Sequence, residues 1–187
     1  MSSNVSNSAP CIELVIRALV LYSLAEHQAG HATTIRVSAT ENSFTVEDDG
    51  RGHAIGRTVA DQPYLKFIYS HLSYPYSLPQ SAPIQLQGIG MSLINALCAE
   101  LHVTVRRREG TLCLLFKDGI LQSHEPQVPG SVNPTGNTIS GTIRAQFSGS
   151  LNEGELWNWL KEVLASAPSL GLYLNGQEVN ALRRAGT

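Results

Sequence analysis

The stretch CIELVIRALVLYSLAEHQ, residues 11–28, constrains the fold more than any other segment. Its apolar residues cover most of two helical faces instead of one stripe, so a largely buried helix is expected, with Gly30 as its stop. Glu13 and Arg17 interrupt the apolar run. The run is too short and too charged to span a bilayer, and no basic segment precedes it as in a secretory signal. Three cysteines, Cys11, Cys98 and Cys113, lie far apart and are odd in number, which excludes a disulfide framework and a CxxC-type zinc site. These features lead us to expect a soluble cytoplasmic protein without membrane contact.

With 187 residues the chain is long enough to bury a core without staples. It is expected to form one domain over residues 11–187, after a Ser/Asn-rich flexible tail at 1–10. Charged residues make up 15%, below the usual ~25%, and the net charge is −2. That balance gives no electrostatic footprint for nucleic acid. After the first helix come strand-like runs at 34–38 and 43–47 around a Glu41-Asn42 turn, which form a hairpin. Helices are expected at 61–73 and 91–100, and strands at 101–107 and 111–117. A Pro/Gly-rich loop at 122–138, a strand at 141–147 and a helix at 153–165 follow. A closing hairpin of 172–174 and 178–179 turns at Asn175-Gly176. No internal repeat is visible. The mixture lacks regular βαβ alternation and implies an α+β fold, a two-layer sandwich with helices on one face of a mixed, mostly antiparallel sheet.

Two motifs carry chemistry. Val46-Glu47-Asp48-Asp49-Gly50-Arg51-Gly52 ends a strand in two carboxylates and a Gly-x-Gly, which lets backbone come close to a ligand. Alone, it also suits a tight turn with solvated aspartates. Gln87-Gly88-Ile89-Gly90 opens a helix, where free N–H groups and the dipole favour an anion such as phosphate. Alone, it also suits close helix–sheet packing.

In register, AGHATTIRVSATENSFTVEDDGRG (residues 29–52) and GIGMSLINAL (88–97) resemble the ATPase domain of the gyrase B and topoisomerase IV B proteins. These belong to the GHKL, or Bergerat-fold, superfamily, with the heat-shock chaperones, mismatch-repair ATPases and histidine kinases. The resemblance runs from about residue 13 to 180. Arg108-Glu109-Gly110 after a strand adds to it, as does Ser140-Gly141-Thr142, similar to the family's Thr-Gly-Thr. It implies that Asp48 accepts from an adenine amino group, that Gly52 lets the base lie on backbone, and that Thr142 assists Asp48. It also implies that Gly88 and Gly90 turn their amides to phosphates and that Arg108 flanks the mouth. ATP or ADP is then the implied ligand.

The departures bear on function. Counting back from Ala29-Gly30-His31, Ala18 stands where the family has its water-activating Glu, and Tyr22 where it has its Mg²⁺-binding Asn. Positions 18, 22 and 26 share one helical face, and Glu26 matches the acidic partner of the loop arginine, here Arg51. Glu13 lies on another face and is no substitute for the lost base. Alanine cannot take a proton, and losing a positioned base costs ~10²–10⁴ in rate. Tyr22 is a poor Mg²⁺ ligand, so no magnesium is expected. Gly52-His53-Ala54 replaces Gly-Ile-Pro, and Ile84-Gln85-Leu86-Gln87 replaces the front of the glycine-rich lid. Prolines in 74–83 stiffen the segment before it.

Three readings follow. The first is a stand-alone degenerate module that binds ATP or ADP and acts as a regulatory partner, with a protein partner to be found. The second is a repurposed pocket, a small enzyme or binding protein for a non-nucleotide small molecule, as in secondary metabolism, with Tyr22, Asp48 and His53 as acid/base groups. The third is an ATPase fragment of a type II topoisomerase, which requires a different helix register.

Other residues suggest packing. His31 ends the first helix; His27, His71, His102 and His124 lack metal-ligand spacing. In Arg106-Arg107-Arg108, strand alternation sends Arg107 away from the other two. Trp157 and Trp159 suit core and rim packing. Of Tyr64, Tyr69, Tyr74 and Tyr76, one or two are expected to line the pocket.

Overall fold

A computed structural model describes residues 10–59, 61–70, 90–127 and 134–180. The first helix, α1, runs Cys11–Gln28 as expected, with its apolar residues buried almost all round from Ile12 to Leu24. Gly30 follows in the left-handed region (φ 78°), and its N–H bonds His27 O. The hairpin is β1 (Thr34–Ala39) and β2 (Ser43–Asp48), paired antiparallel. A two-stranded ribbon, β3 (Thr58–Val59) and β4 (Gln62–Pro63), leads into α2 (Tyr64–Ser70). The expected helix at 61–73 is therefore shorter at its start, and 71–73 lie outside the described residues.

Helix α3 spans Met91–Leu97, and β5 (Cys98–Arg107) begins where the sequence suggested three more helical residues. The cause is non-local: Cys98 pairs with Ile143 across the sheet and Ala99 O accepts from Asp118 N. Strand β6 is Gly110–Lys117 and β7 is Ile120–Gln127. Strand β8 is Gly136–Ile143, followed by a 3₁₀ turn at Ala145–Phe147. The expected loop at 122–138 thus contains most of one strand and the start of another, and the strand expected at 141–147 begins five residues earlier. Pro126 is tolerated because β7 is the edge of the sheet. Helix α4 is Glu153–Ser166, capped by Asn152 Oδ1 accepting from Glu155 N. Strands β9 (Gly171–Leu174) and β10 (Gln177–Glu178) close the described chain about Asn175-Gly176.

The eight strands order β10-β9-β1-β2-β8-β5-β6-β7, and only β1–β9 is a parallel pair. Strand residues alternate between a buried face and a more exposed one. The helices cover the buried face: α1 packs on β1 and β2, α3 on β5, and α4 on β9. Arg17 pairs with the fully buried Glu13 and lies over the Trp159 ring at 5.0 Å, joining α1 to α4. Trp159 is core and Trp157 is partly buried at its rim. This is the two-layer sandwich expected from the sequence. Among the described residues, no helix is long and apolar enough to cross a membrane.

Candidate functional site

A cavity of about 230 Å³ opens between α1 and the sheet, where β2 ends beside the start of β8. Helix α1 contributes Leu19, Tyr22, Ser23, Ala25 and Glu26 to its wall; β2 contributes Val46 and Asp48. Gly52 and His53 come from the loop after β2, Met91 from α3, and Asn137 and Ile139 from β8. Apolar side chains thus flank a floor of polar groups, the composition of a small-molecule site.

The two aspartates of the loop do different work. Asp49 accepts from Thr33 N at 2.7 Å and Thr34 N at 2.9 Å and so fixes the start of β1. Burial opposes ionisation of Asp49, but its bonds from Thr33 and Thr34 outweigh that and lower its pKa. Asp48 points into the cavity floor and is 5% exposed. Its Oδ1 accepts from Gly50 N at 3.0 Å and Asn137 N at 3.3 Å. Its Oδ2 accepts from Ser23 Oγ at 3.0 Å and Asn137 Nδ2 at 3.3 Å.

Glycine makes this geometry possible at two points. A Cβ on Gly136, at φ +133°, would lie 1.9 Å from the Asp48 carbonyl oxygen. A Cβ on Gly52, at φ +74°, would lie 2.7 Å from Arg106 O. Gly52 is held from the sheet side, because Arg107 donates to its carbonyl at 2.7 Å. Arg51 grips Glu26 through two bonds, Nε to Oε2 at 3.1 Å and NH2 to Oε1 at 2.9 Å. That pairing lowers the Glu26 pKa, against the opposing effect of burial.

His53 donates its backbone N–H to Asn137 Oδ1 at 2.9 Å, and its ring stands edge-on to Tyr69 with centroids 6.4 Å apart. Burial pushes the imidazole below its ordinary pKa and Arg107 pushes the same way, while Asp48 and Glu26 oppose. Below it, the fully buried Tyr69 packs on Phe116. Asn95 donates to the carbonyls of Tyr69 and Gly119, fastening α2 to the β6–β7 turn. The Tyr22 phenol is 9% exposed, and burial, then Tyr64, raise its pKa well beyond the usual tyrosine range. Ala18 is wholly buried and forms no part of the cavity wall.

Tyr22, Asp48, Gly52 and His53 therefore share one cavity, and Gly90 caps α3 beside it. Gly88, Tyr74 and Tyr76 lie outside the described residues. Thr142 is not brought to Asp48. It pairs with Ser43 at the far end of β2, whereas Glu47, next to Asp48, pairs with Thr138. Five residues of strand also reverse the face, so Thr142 borders a separate hollow with Ser43 and Ser140. The residue at Asp48 is Asn137. Its signal was Thr135-Gly136-Asn137, which keeps the Thr-Gly of the resembled motif but was hidden in a stretch read as loop. Arg108 is exposed in the β5–β6 turn and does not line the cavity; Arg107 makes the contact with the Gly52 loop. Ser23 was not singled out either, and nothing but its place one residue after Tyr22 marks it. Among the described residues, no group of three or more His, Cys, Asp and Glu could hold a metal ion.

No protein-family model matches the chain. It is 30% identical over 130 residues to the B subunit of DNA topoisomerase 4 from Pseudomonas aeruginosa, covering 63% of this chain and 20% of that protein. It is 32% identical over 131 residues to the B subunit of DNA gyrase from Haloferax volcanii, covering 63% and 20%. With the B subunit of DNA gyrase from Campylobacter jejuni it shares 32% over 130 residues, covering 67% and 17%. The chain spans about a fifth of the length of these curated relatives. A solved structure, the topoisomerase IV ATP-binding domain of Francisella tularensis in complex with a small-molecule inhibitor, superposes with a TM-score of 0.69 at 23% identity. The match covers 85% of this chain and 44% of that one. This chain shares the fold of that topoisomerase IV domain.

Proposed function

We propose that the cavity receives the base of an adenine nucleotide, ATP or ADP, and that the chain acts as a nucleotide-binding or regulatory module without ordinary Mg²⁺-dependent hydrolysis. One observation carries this reading: a buried carboxylate, Asp48, sits at the end of an apolar slot formed by Leu19, Val46, Met91 and Ile139. A flat ring with an exocyclic amino group suits that combination, since the slot buries the ring faces and the carboxylate accepts the amino N–H. Gly52 would let the ring approach backbone, and Gly90 would face the phosphate end. The structural match to a domain named for binding ATP supports the same ligand.

The residues do not suit Mg²⁺. Tyr22 stands at the resembled family's metal-ligand position as a buried phenol, and the ion needs carboxylate, amide or phosphate oxygens. No water-activating carboxylate is present at 18, where the alanine methyl is sealed in the core. Glu26 cannot stand in, because Arg51 holds both of its oxygens.

A second reading, a pocket turned to a non-nucleotide small molecule, has one observation in its favour. A buried phenol whose pKa is raised, Tyr22, and a buried imidazole whose pKa is lowered, His53, border the same cavity. Two such groups can serve as acid and base. Equilibrium binding of ADP to the wild type and to Asp48→Asn separates the two. Saturable binding weakened at least about tenfold by the substitution supports the nucleotide reading. Absence of binding to a folded wild type leaves the second.

A further inference from the structure

The Asn137 side chain has a fixed orientation. Its Oδ1 accepts from a backbone N–H, that of His53, which can only donate. Its Nδ2 donates to the Asp48 carboxylate, which when ionised can only accept. Turning the amide over would break both bonds at once. An ionised carboxylate offers about four lone-pair sites. Those of Asp48 are taken by Gly50 N, Asn137 N, Ser23 Oγ and Asn137 Nδ2.

Two of the four donors, Gly50 N and Asn137 N, are main chain. Ser23 Oγ and Asn137 Nδ2 both reach Asp48 from rotatable side chains at the cavity wall, and the two residues are 5% and 7% exposed. The Asn137 bond is the longer, 3.3 Å against 3.0 Å, and so the weaker hold on the carboxylate. An incoming amino group takes its place at the lower cost.

We propose that Asn137 is a built-in competitor for the base, occupying the acceptor site on Asp48 until a ligand displaces its side chain. Because the same amide holds His53 N, displacement also removes one tether of the loop, whose other ties are Arg51 to Glu26 and Arg107 to the Gly52 carbonyl. Occupancy of the cavity is thereby converted into a change in that loop. This rests on the nucleotide reading above and adds to it a specificity-determining residue and a route for regulation.

The test is calorimetric titration of ADP into the full chain as wild type, Asn137→Ala, Asn137→Ser and Asp48→Asn. Amide hydrogen exchange at His53 is followed in the wild type with and without ADP. Both Asn137 variants are expected to bind ADP more tightly, by roughly 10- to 150-fold, the range set by release of one hydrogen bond to a charged group. In the wild type, ADP is expected to speed exchange at His53. The serine variant decides if the alanine variant does not fold. Equal or weaker binding by the Asn137 variants, or unchanged His53 exchange at saturation, overturns the competitor. In that case wild-type binding lost in Asp48→Asn leaves the nucleotide reading standing. If no variant binds ADP, both readings fall.

Discussion

At Gly136 the chain passes so close to Asp48 that a single methyl would collide with the main-chain oxygen. The contact brings Asn137 N and Nδ2 within reach of the carboxylate, so glycine at 136 is a condition of the site as well as of the turn into β8. Gly136→Ala is expected to lose at least about 3 kcal/mol of stability, or to fail to fold, through backbone strain and a displaced strand. Gly56→Ala, where nothing lies within 4 Å, is expected to stay within about 0.5 kcal/mol. Urea unfolding of both variants measures the contrast, and equal stabilities would contradict the close approach. His53 supplies a pH signature. Burial lowers the pKa of its ring in the folded state, so as pH falls the unfolded chain takes up the proton first. Its contribution is therefore complete above the unfolded pKa of about 6.5 and is lost as pH falls below it. Unfolding free energies from pH 7.5 to 5 should decline in the wild type and decline less in His53→Phe. Parallel profiles would remove His53 as the cause.

Helix α1 sets what the site can do. Its 18, 22 and 26 positions share one face, yet Ala18 is in the core, Tyr22 lines the cavity and Glu26 is clamped by Arg51. Restoring a carboxylate by Ala18→Glu is accordingly expected to bury an unpaired charge, costing roughly 3–5 kcal/mol, without producing hydrolysis. Denaturant melts and a phosphate-release assay on that variant check this; a stable, hydrolysing protein would show that position 18 faces the nucleotide. The helix was legible from residue 11 to 28 because propensity, patterning and the Gly30 stop agree locally. The β1–β2 hairpin and the Asp48–Gly52 loop were legible for the same reason. Strands β7 and β8 were not. Pro126 and the glycines suggest a loop, and these strands exist because β6, β5 and β2 offer them pairing partners far away in sequence. That miss hid Thr135-Gly136-Asn137 and let Ser140-Gly141-Thr142, one pleat register and five residues away, stand in its place. The helix end at Leu97 was lost similarly, because Cys98 and Leu101 suit either a helix or a buried strand.

At the scale of the molecule, an eight-stranded sheet covered on one face by helices leaves a polar-floored slot between α1 and the start of β8. The Glu26–Arg51 clamp and the Gly52 loop border that slot. Positions 18 and 22, where on the proposed reading the resembled ATPases carry a base and a metal ligand, hold a buried methyl and a buried phenol. On the proposed reading, binding and catalysis have separated on one fold, and fold alone does not decide which remains. Titration of ADP into the wild-type chain by calorimetry, once with Mg²⁺ and once with a chelator, addresses this directly. The expected result is saturable binding with the same affinity in both conditions. No heat in either condition, or affinity that depends on Mg²⁺, would contradict a metal-independent nucleotide module.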